Sequence, residues 1–515
     1  MPAHIMSLKN NILASYASQI YVTLIGIVMV PLYIKYMGAE TYGLVGFFAM
    51  LQAWFMLLDM GLTPTMVRET ASFRGGRNDV LTFRRLVRAL EGVFVIVALV
   101  GATAMFAASS YIAHDWLQES QLPKGEVQAA IQLMSIIIAL RWMCGLYRGV
   151  IGGSERLIWL GGCNSIIATL RFIGVLPLLM IVGATPTIFF CFQSAVALLE
   201  LAVLLFFAYR LLPDVPQGQQ LPWDWIPLKA AFKFSLTIAF TSSVMVLVTQ
   251  TDKLILSKML LLRDYGYYTL AVMVASGVMM ISGPVSNALM PRMAKLQAEG
   301  NEADFYYLYH QATQVVAIIA IPTCLVFAFF SELGLWAWTG DTVAASQAAP
   351  VLRLYALGNG LLVLDAFPYY LQYAKGDLKL HVIGNILFLL LLIPTLTYAA
   401  WAYGAIGAAY AWLAINALTF IAWVPIVHRR FSVGLHLQWL KNNLLQTFLF
   451  SILAVIITRI LLPQPTDRFS AFWVLVAASI FTIAFGALGS PLVRAIAKKK
   501  WMQLERLANR RLFRT

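Results

Sequence analysis

Residues Leu57–Arg77 read LLDMGLTPTMVRETASFRGGR, and the fold turns on how this stretch is understood. A long apolar run ends here, with Asp59 inside it, Gly61 and Pro64 weakening the helix just after, and Arg68 and Glu69 closing it before a cluster of arginines. A carboxylate at membrane depth costs at least ~2.5 kcal/mol on insertion scales, so it marks a site by default. A helix interrupted by Gly and Pro beside it points to a transport pathway. The structural alternative is that Asp59 pairs with a neighbouring helix and only packs.

Composition outside this stretch also fits a bilayer. The 515 residues are 60% apolar and 12% charged, with a mean hydropathy of +0.77, whereas a soluble chain carries about twice that charged fraction. An all-α polytopic membrane protein is expected. Met1–Asn10 leads straight into an apolar run without a small-residue cleavage pattern, so no cleavable signal peptide is expected. Cys144, Cys163, Cys191 and Cys324 fall in apolar segments without ligand spacing, and the six histidines are dispersed. Neither disulfides nor a metal or other cofactor is expected. A net charge of +14 would suggest nucleic acid in a soluble protein; here the positive-inside rule accounts for it, and no nucleic-acid partner is expected.

Spans need roughly 17–25 apolar residues. Fourteen can be counted, at about 10–36, 42–68, 89–112, 127–150, 157–182, 187–211, 232–258, 265–290, 308–331, 348–374, 379–400, 404–427, 441–462 and 469–490. With the N-terminus inside, 27 of the 37 Lys and Arg residues fall on the inner side and 6 on the outer, which predicts both termini in the cytoplasm. The connections are short, the longest outer ones lying around His114–Glu126 and Glu332–Ser346. In the tail 491–515, Ile496, Trp501, Leu504 and Leu507 recur at near-helical spacing among Lys498–Lys500, Arg506, Arg510, Arg511 and Arg514. An interfacial helix on the anionic inner leaflet is expected.

Shifting the chain on itself by 223 residues aligns Lys35 with Lys258, Tyr42-Gly43 with Tyr265-Gly266, Gly153 with Gly376 and Arg156 with Lys379. Each match falls in the equivalent connection, which argues for two six-helix halves of the same orientation. The expected organisation is a lobe over 1–211, a four-proline cytoplasmic linker at 212–231, a second lobe over 232–432, and two further helices over 433–490.

The 6 + 6 + 2 pattern, the opening LKNNILASYASQIYVTLIGIVMVPLYIKYMGAETYGLVGFF, the LLDMGL…VRETA segment and TDKLILSKML at Thr251–Leu260 together resemble the Wzx-type oligosaccharide flippases. These are the polysaccharide branch of the multidrug/oligosaccharidyl-lipid/polysaccharide exporter superfamily. The resemblance covers nearly the whole chain and implies a flippase, not an enzyme, in a bacterial inner membrane. It implies movement of an undecaprenyl-pyrophosphate-linked oligosaccharide from the cytoplasmic to the periplasmic leaflet for O-antigen or other surface polysaccharide. Expected partners are that lipid-linked oligosaccharide, membrane lipids, and polysaccharide polymerase and chain-length regulator proteins. No Walker motif occurs, so ATP is not expected to drive transport.

Such a substrate needs a wet cavity and cations for its pyrophosphate. Arg141, Arg171, Lys253 and Arg353 sit within spans, and guanidinium forks match phosphate oxygens. Arg68, Arg148, Arg156 and Arg292 lie where the inner mouth is expected, to recruit the headgroup or merely to set topology. The embedded carboxylates are Asp59, Glu91, Glu200, Asp252 and Asp365, so counting charges does not show a cationic cavity. Asp59, Asp252 and Asp365 are candidates for coupling to a proton or sodium gradient, against a static pairing between helices. A lipid II flippase and a multidrug exporter of the same superfamily remain open. A membrane glycan polymerase or ligase fits less well, because no Asp-x-Asp occurs and the outer connections are short.

Overall fold

The structure is a computed structural model that describes residues 2–76, 79–215 and 226–512, and among them it is all α, without a strand. Packing divides the chain into two units, Met1–Gly266 and Tyr267–Thr515. The first holds α1 (Pro2–Phe55), α2 (Leu62–Arg74), α3 (Val80–Tyr111), α4 (Lys124–Gly153), α5 (Leu157–Phe172), α6 (Val175–Ile181), α7 (Pro186–Leu211), α8 (Ile226–Met259) and the start of α9 (Leu262–Ser276). The second continues with α10 (Ser282–Ala298), α11 (Glu302–Phe329), α12 (Ser331–Thr339), α13 (Thr342–Lys375) and α14 (Lys379–Leu418). It ends with α15 (Val424–Phe431), α16 (Leu435–Trp439), α17 (Gln446–Leu461), α18 (Arg468–Leu488) and α19 (Pro491–Leu512). Residues 216–225 of the expected linker lie outside the described residues.

Eleven helical stretches among the described residues are long and apolar enough to cross a membrane, against fourteen expected. The expected span 232–258 falls within α8 and is not among the eleven, and the other two differences have a local cause. Two of the eleven, Ala14–Asp59 and Lys379–Phe431, run to 46 and 53 residues, and each is broken by a glycine with non-helical backbone, Gly38 (φ 80) and Gly404 (φ 61). Only glycine reaches such conformations cheaply, so helix-to-helix turns collapse to a single residue there. Large side chains such as Leu99, Ile166, Leu390, Ile421 and Ile460 stand more than 60% exposed, as a lipid-facing surface requires.

The stretch Leu57–Arg77 breaks where its glycine and proline suggest. α1 ends at Phe55, a 3-10 turn covers Met56–Asp59, and Met60 and Gly61 are both left-handed (φ 45 and 73) before α2 starts. The expected span 42–68 is therefore two helices with a hinge between them.

The internal repeat has a physical counterpart in the first unit. A Cβ on Gly43 would sit 2.2 Å from the Leu262 carbonyl oxygen, and one on Gly266 would sit 2.4 Å from that of Ala39. Ala39 and Leu262 are themselves 223 residues apart, so the same shift relates both sides of one close contact. The neighbouring Tyr42 and Tyr265 are both buried.

α19 forms over the tail expected to be helical, with Ile496 and Trp501 exposed. The side chains of Leu504, Arg506, Leu507, Arg510, Arg511 and Arg514 lie outside the described residues.

α18 begins with a capping box. Asp467 accepts the N–H groups of Phe469 and Ser470, both at 2.9 Å, and its own N–H donates to the Ser470 hydroxyl at 3.3 Å. These bonds, those from Ser470 foremost, hold its carboxyl below the ordinary carboxylate range. Such a group stabilises the fold above its unfolded pKa of about 3.9, and the contribution is lost as pH falls through the lower folded value. Asp467→Ala should therefore lower the thermal midpoint in detergent at pH 7, and its deficit should shrink as the pH drops below about 4. A deficit independent of pH would contradict this role.

Candidate functional site

Arg141 and Arg148 on α4 are seven residues apart, and so are Gln193 and Glu200 on α7. Seven residues make nearly two helical turns, so each pair occupies one face. The two faces meet. An Arg141 Nη2–H donates to Gln193 Oε1 at 3.1 Å, and Arg148 forms a charge-assisted hydrogen bond with Glu200. Both rungs join residues 52 apart in the chain, so α4 and α7 run parallel. Gln193 also donates through Nε2 to the Arg171 carbonyl at 2.9 Å, one of the carbonyls left open at the end of α5. The amide thus joins Arg141, on α4, to the residue that carries the second embedded guanidinium.

The charge balance follows from this ladder. Glu200 is only 4% exposed, and its partner is Arg148, which the sequence suggested for headgroup recruitment. Among the described residues, neither Arg141 nor Arg171 has a carboxylate within ion-pair distance. Their guanidinium groups lie instead 5.6 Å from the Phe48 ring centre and 4.3 Å from that of Phe172. Arg141 Nε is buried without a hydrogen-bond partner among the described residues. A cleft of about 430 Å³ includes Ser15, Ser18 and Gln19 of α1, Arg148, Asn164 and Arg171, and Glu200. A second, of about 330 Å³, includes Gln52, Met56, Arg141 and Trp142. Asn164 Oδ1 is buried and accepts no hydrogen bond among the described residues, leaving an acceptor for a hydroxyl or N–H. Guanidinium groups, an amide and hydroxyls lining clefts of this size suit phosphoryl oxygens and sugar hydroxyls.

Polar stitching joins α1 and α5 beside the first cleft. Ser18 donates to the Gly161 carbonyl at 2.8 Å, Tyr21 and Thr169 share a 2.7 Å bond, and Tyr33 donates to the Phe172 carbonyl at 2.8 Å. In hydrocarbon such bonds hold helices together where apolar contact gives no preference over lipid.

The other candidates lie elsewhere. Lys253 folds back along its own helix, donating to the Thr249 carbonyl, and stands 3.6 Å from Asp252; Asp252 also accepts the Lys253 N–H at 2.8 Å. Asp59 accepts from the Thr63 hydroxyl at 2.6 Å and from the Thr63 N–H at 3.3 Å, capping α2 beyond the hinge. Glu91 takes the Tyr209 hydroxyl at 2.8 Å. Asp365, on α13 of the second unit, has both oxygens buried without a donor among the described residues. Arg353 lies in that unit too, its Nε donating to the Ala328 carbonyl at 3.1 Å. Arg68 within α2, Arg156 at the start of α5 and Arg292 within α10 are exposed, Arg68 with Glu69 at 3.8 Å. Inspection of the sequence passed over Gln193 and Asn164, although the matching seven-residue spacings on α4 and α7 were a signal for the first.

A multi-helix membrane fold with a cationic polar site inside one unit defines a transporter-like protein. Comparison with known proteins takes this further. A family profile described as "Polysaccharide biosynthesis protein" matches residues 169–342. The "Putative O-antigen transporter" of Shigella flexneri is 20% identical over 393 residues, 76% of this chain and 90% of that protein. Among solved structures, "Lipid II flippase MurJ, inward closed conformation" superposes with a TM-score of 0.72 at 14% identity, over 96% of this chain and 99% of that one. An inward-facing multidrug resistance MATE family transporter of the MOP superfamily gives 0.64 at 12%, over 80% and 96%. The chain shares the fold of these two structures. These matches bear out the resemblance to Wzx-type flippases, and the matched relatives are transporters and flippases, not enzymes.

The ladder can be tested by a double-mutant cycle. Arg148→Ala leaves Glu200 buried and unpaired and should destabilise by about 3–5 kcal/mol, whereas removing both partners should cost less than removing Arg148 alone. Unfolding in detergent reports both, and additive losses would show that the pair is not coupled.

Proposed function

We propose that this protein is an inner-membrane flippase, with both termini cytoplasmic. Its substrate is an undecaprenyl-diphosphate-linked oligosaccharide, carried from the cytoplasmic to the periplasmic leaflet for O-antigen or other surface polysaccharide. Transport proceeds by alternating access coupled to a proton or sodium gradient, and the product passes to polysaccharide polymerase and chain-length regulator proteins. The observation that carries this reading is the ladder in the first unit. Glu200 is matched by Arg148, so the positive charge of Arg141 and Arg171 is left over beside clefts lined with amides and hydroxyls. An apolar cation pocket for drugs would need the opposite balance. The polysaccharide profile and the O-antigen relative support the polysaccharide branch over the lipid II branch, where the likeness is one of fold.

Of the three coupling candidates, Asp365 is favoured. Asp59 is engaged as a helix cap and Asp252 by Lys253, while a buried carboxyl without a donor is a site for a proton or a sodium ion.

The test is complementation of a host lacking its own O-antigen flippase, scored as surface polysaccharide at matched expression. Wild type should restore the polymer. Arg171→Ala should lower it at least about tenfold, the loss of one charge-assisted contact, and Asp365→Asn should abolish it. Asp59→Asn should retain most of it, because asparagine caps helices nearly as well as aspartate. Failure of wild type together with drug extrusion would overturn the assignment, and an active Asp365→Asn would remove that residue from coupling.

A further inference from the structure

The geometry points to a second phosphoryl-binding site, in the second unit, built on Arg353 and Arg459. A cleft of about 360 Å³ lies where α11 gives way to α12 and where α17 ends in the Leu462–Pro465 connection. Arg353 of α13 and Arg459 of α17 both line it, with Ser331, Glu332, Trp336 and Gln464. Among the described residues neither guanidinium has a carboxylate within ion-pair distance. Arg353 spends only Nε on the Ala328 carbonyl, at 3.1 Å, and the Arg459 guanidinium lies 5.7 Å from the Phe330 ring centre. Both arginines are exposed, with donors still to use.

Ser331 supplies the independent sign of a ligand. It is 2% exposed, lines the cleft, and its Oγ has no hydrogen-bond partner among the described residues. A hydroxyl buried without a partner costs about 1–3 kcal/mol unless something satisfies it. As the first residue of the nine-residue α12, it also stands where backbone N–H groups are unpaired and the helix dipole favours an anion. Two guanidinium forks, a hydroxyl and a helix start match the several oxygens of a phosphate or diphosphate. Glu332 sits in the same cleft and can accept from a hydroxyl on the ligand, which suits a phosphate ester better than bare phosphate. In the orientation read from Lys and Arg, this is the outer end of the unit. Resting on that reading, the site takes the phosphoryl group at the leaflet of delivery, apart from the Arg141–Arg171 site. Two sources share this chemistry: a lipid headgroup and a free phosphate.

The experiment uses the purified full-length protein in detergent and three probes: inorganic pyrophosphate, farnesyl diphosphate and phosphatidylglycerol. Pyrophosphate and farnesyl diphosphate are followed by calorimetry, and retained phosphatidylglycerol by native mass spectrometry. Arg459→Gln carries the test, because its side chain is exposed and its loss leaves the packing intact; Arg353→Gln repeats it. Each should weaken binding of a phosphoryl probe about tenfold, as expected for one charge-assisted contact. Arg171→Gln should leave that component in place, so failure of the first-unit site and failure of this one are separable. Loss with pyrophosphate alone assigns a free phosphate, and loss with either lipid assigns a headgroup. Unchanged binding of all three probes in Arg459→Gln overturns the proposal.

Discussion

The pairing of Arg148 with Glu200 is the contact on which the first unit's polar interior depends. A carboxylate buried on a helix face in hydrocarbon cannot stand alone, and a guanidinium is the partner that meets its geometry. Once Glu200 sits on α7, Arg148 must lie opposite it on α4, and the two helices are fixed in parallel and in register. The seven-residue repeat then brings Gln193 to Arg141 without further adjustment. Gln193 reaches on to the end of α5, so three helices are tied by one amide and one ion pair.

This arrangement separates two kinds of charge that look alike along the chain. Arg148 and Glu200 cancel, and their role is to hold helices together. Arg141 and Arg171 are stabilised by aromatic faces and an amide, which leaves their positive charge available. The same sorting applies to the acids. Asp59 serves a helix start, Asp252 a neighbouring lysine, and Glu91 a tyrosine hydroxyl. Asp365 alone of these carboxylates is described without a donor. A transporter needs both kinds: pairs that keep the frame rigid and groups whose charge is met only by substrate or ion.

Glycine sets where the frame can turn. Gly38 and Gly404 let one helix run into the next within a single residue, and Gly61 with Met60 makes the hinge after α1. The reciprocal approach at Gly43 and Gly266 leaves no room for a side chain on either, which gives the 223-residue repeat a steric meaning. Conformational freedom and close approach are different uses of a missing Cβ, and both occur here.

The sequence by itself determined the environment, the helical class and the family resemblance, because apolar length, charge asymmetry and punctuation are properties read along one dimension. It also marked the hinge at Asp59–Pro64 and the equivalence of Tyr42-Gly43 with Tyr265-Gly266. It could not assign partners to charges. Five embedded acids against four bases gave no net sign, since cancellation depends on which helix faces meet, and that is decided by packing between residues some fifty positions apart. The ties of Gln193, the burial of the Ser331 hydroxyl and the separate cleft around Arg353 were decided by tertiary structure for the same reason. A side chain's chemistry is fixed by its type, but its role is fixed by what the fold sets against it.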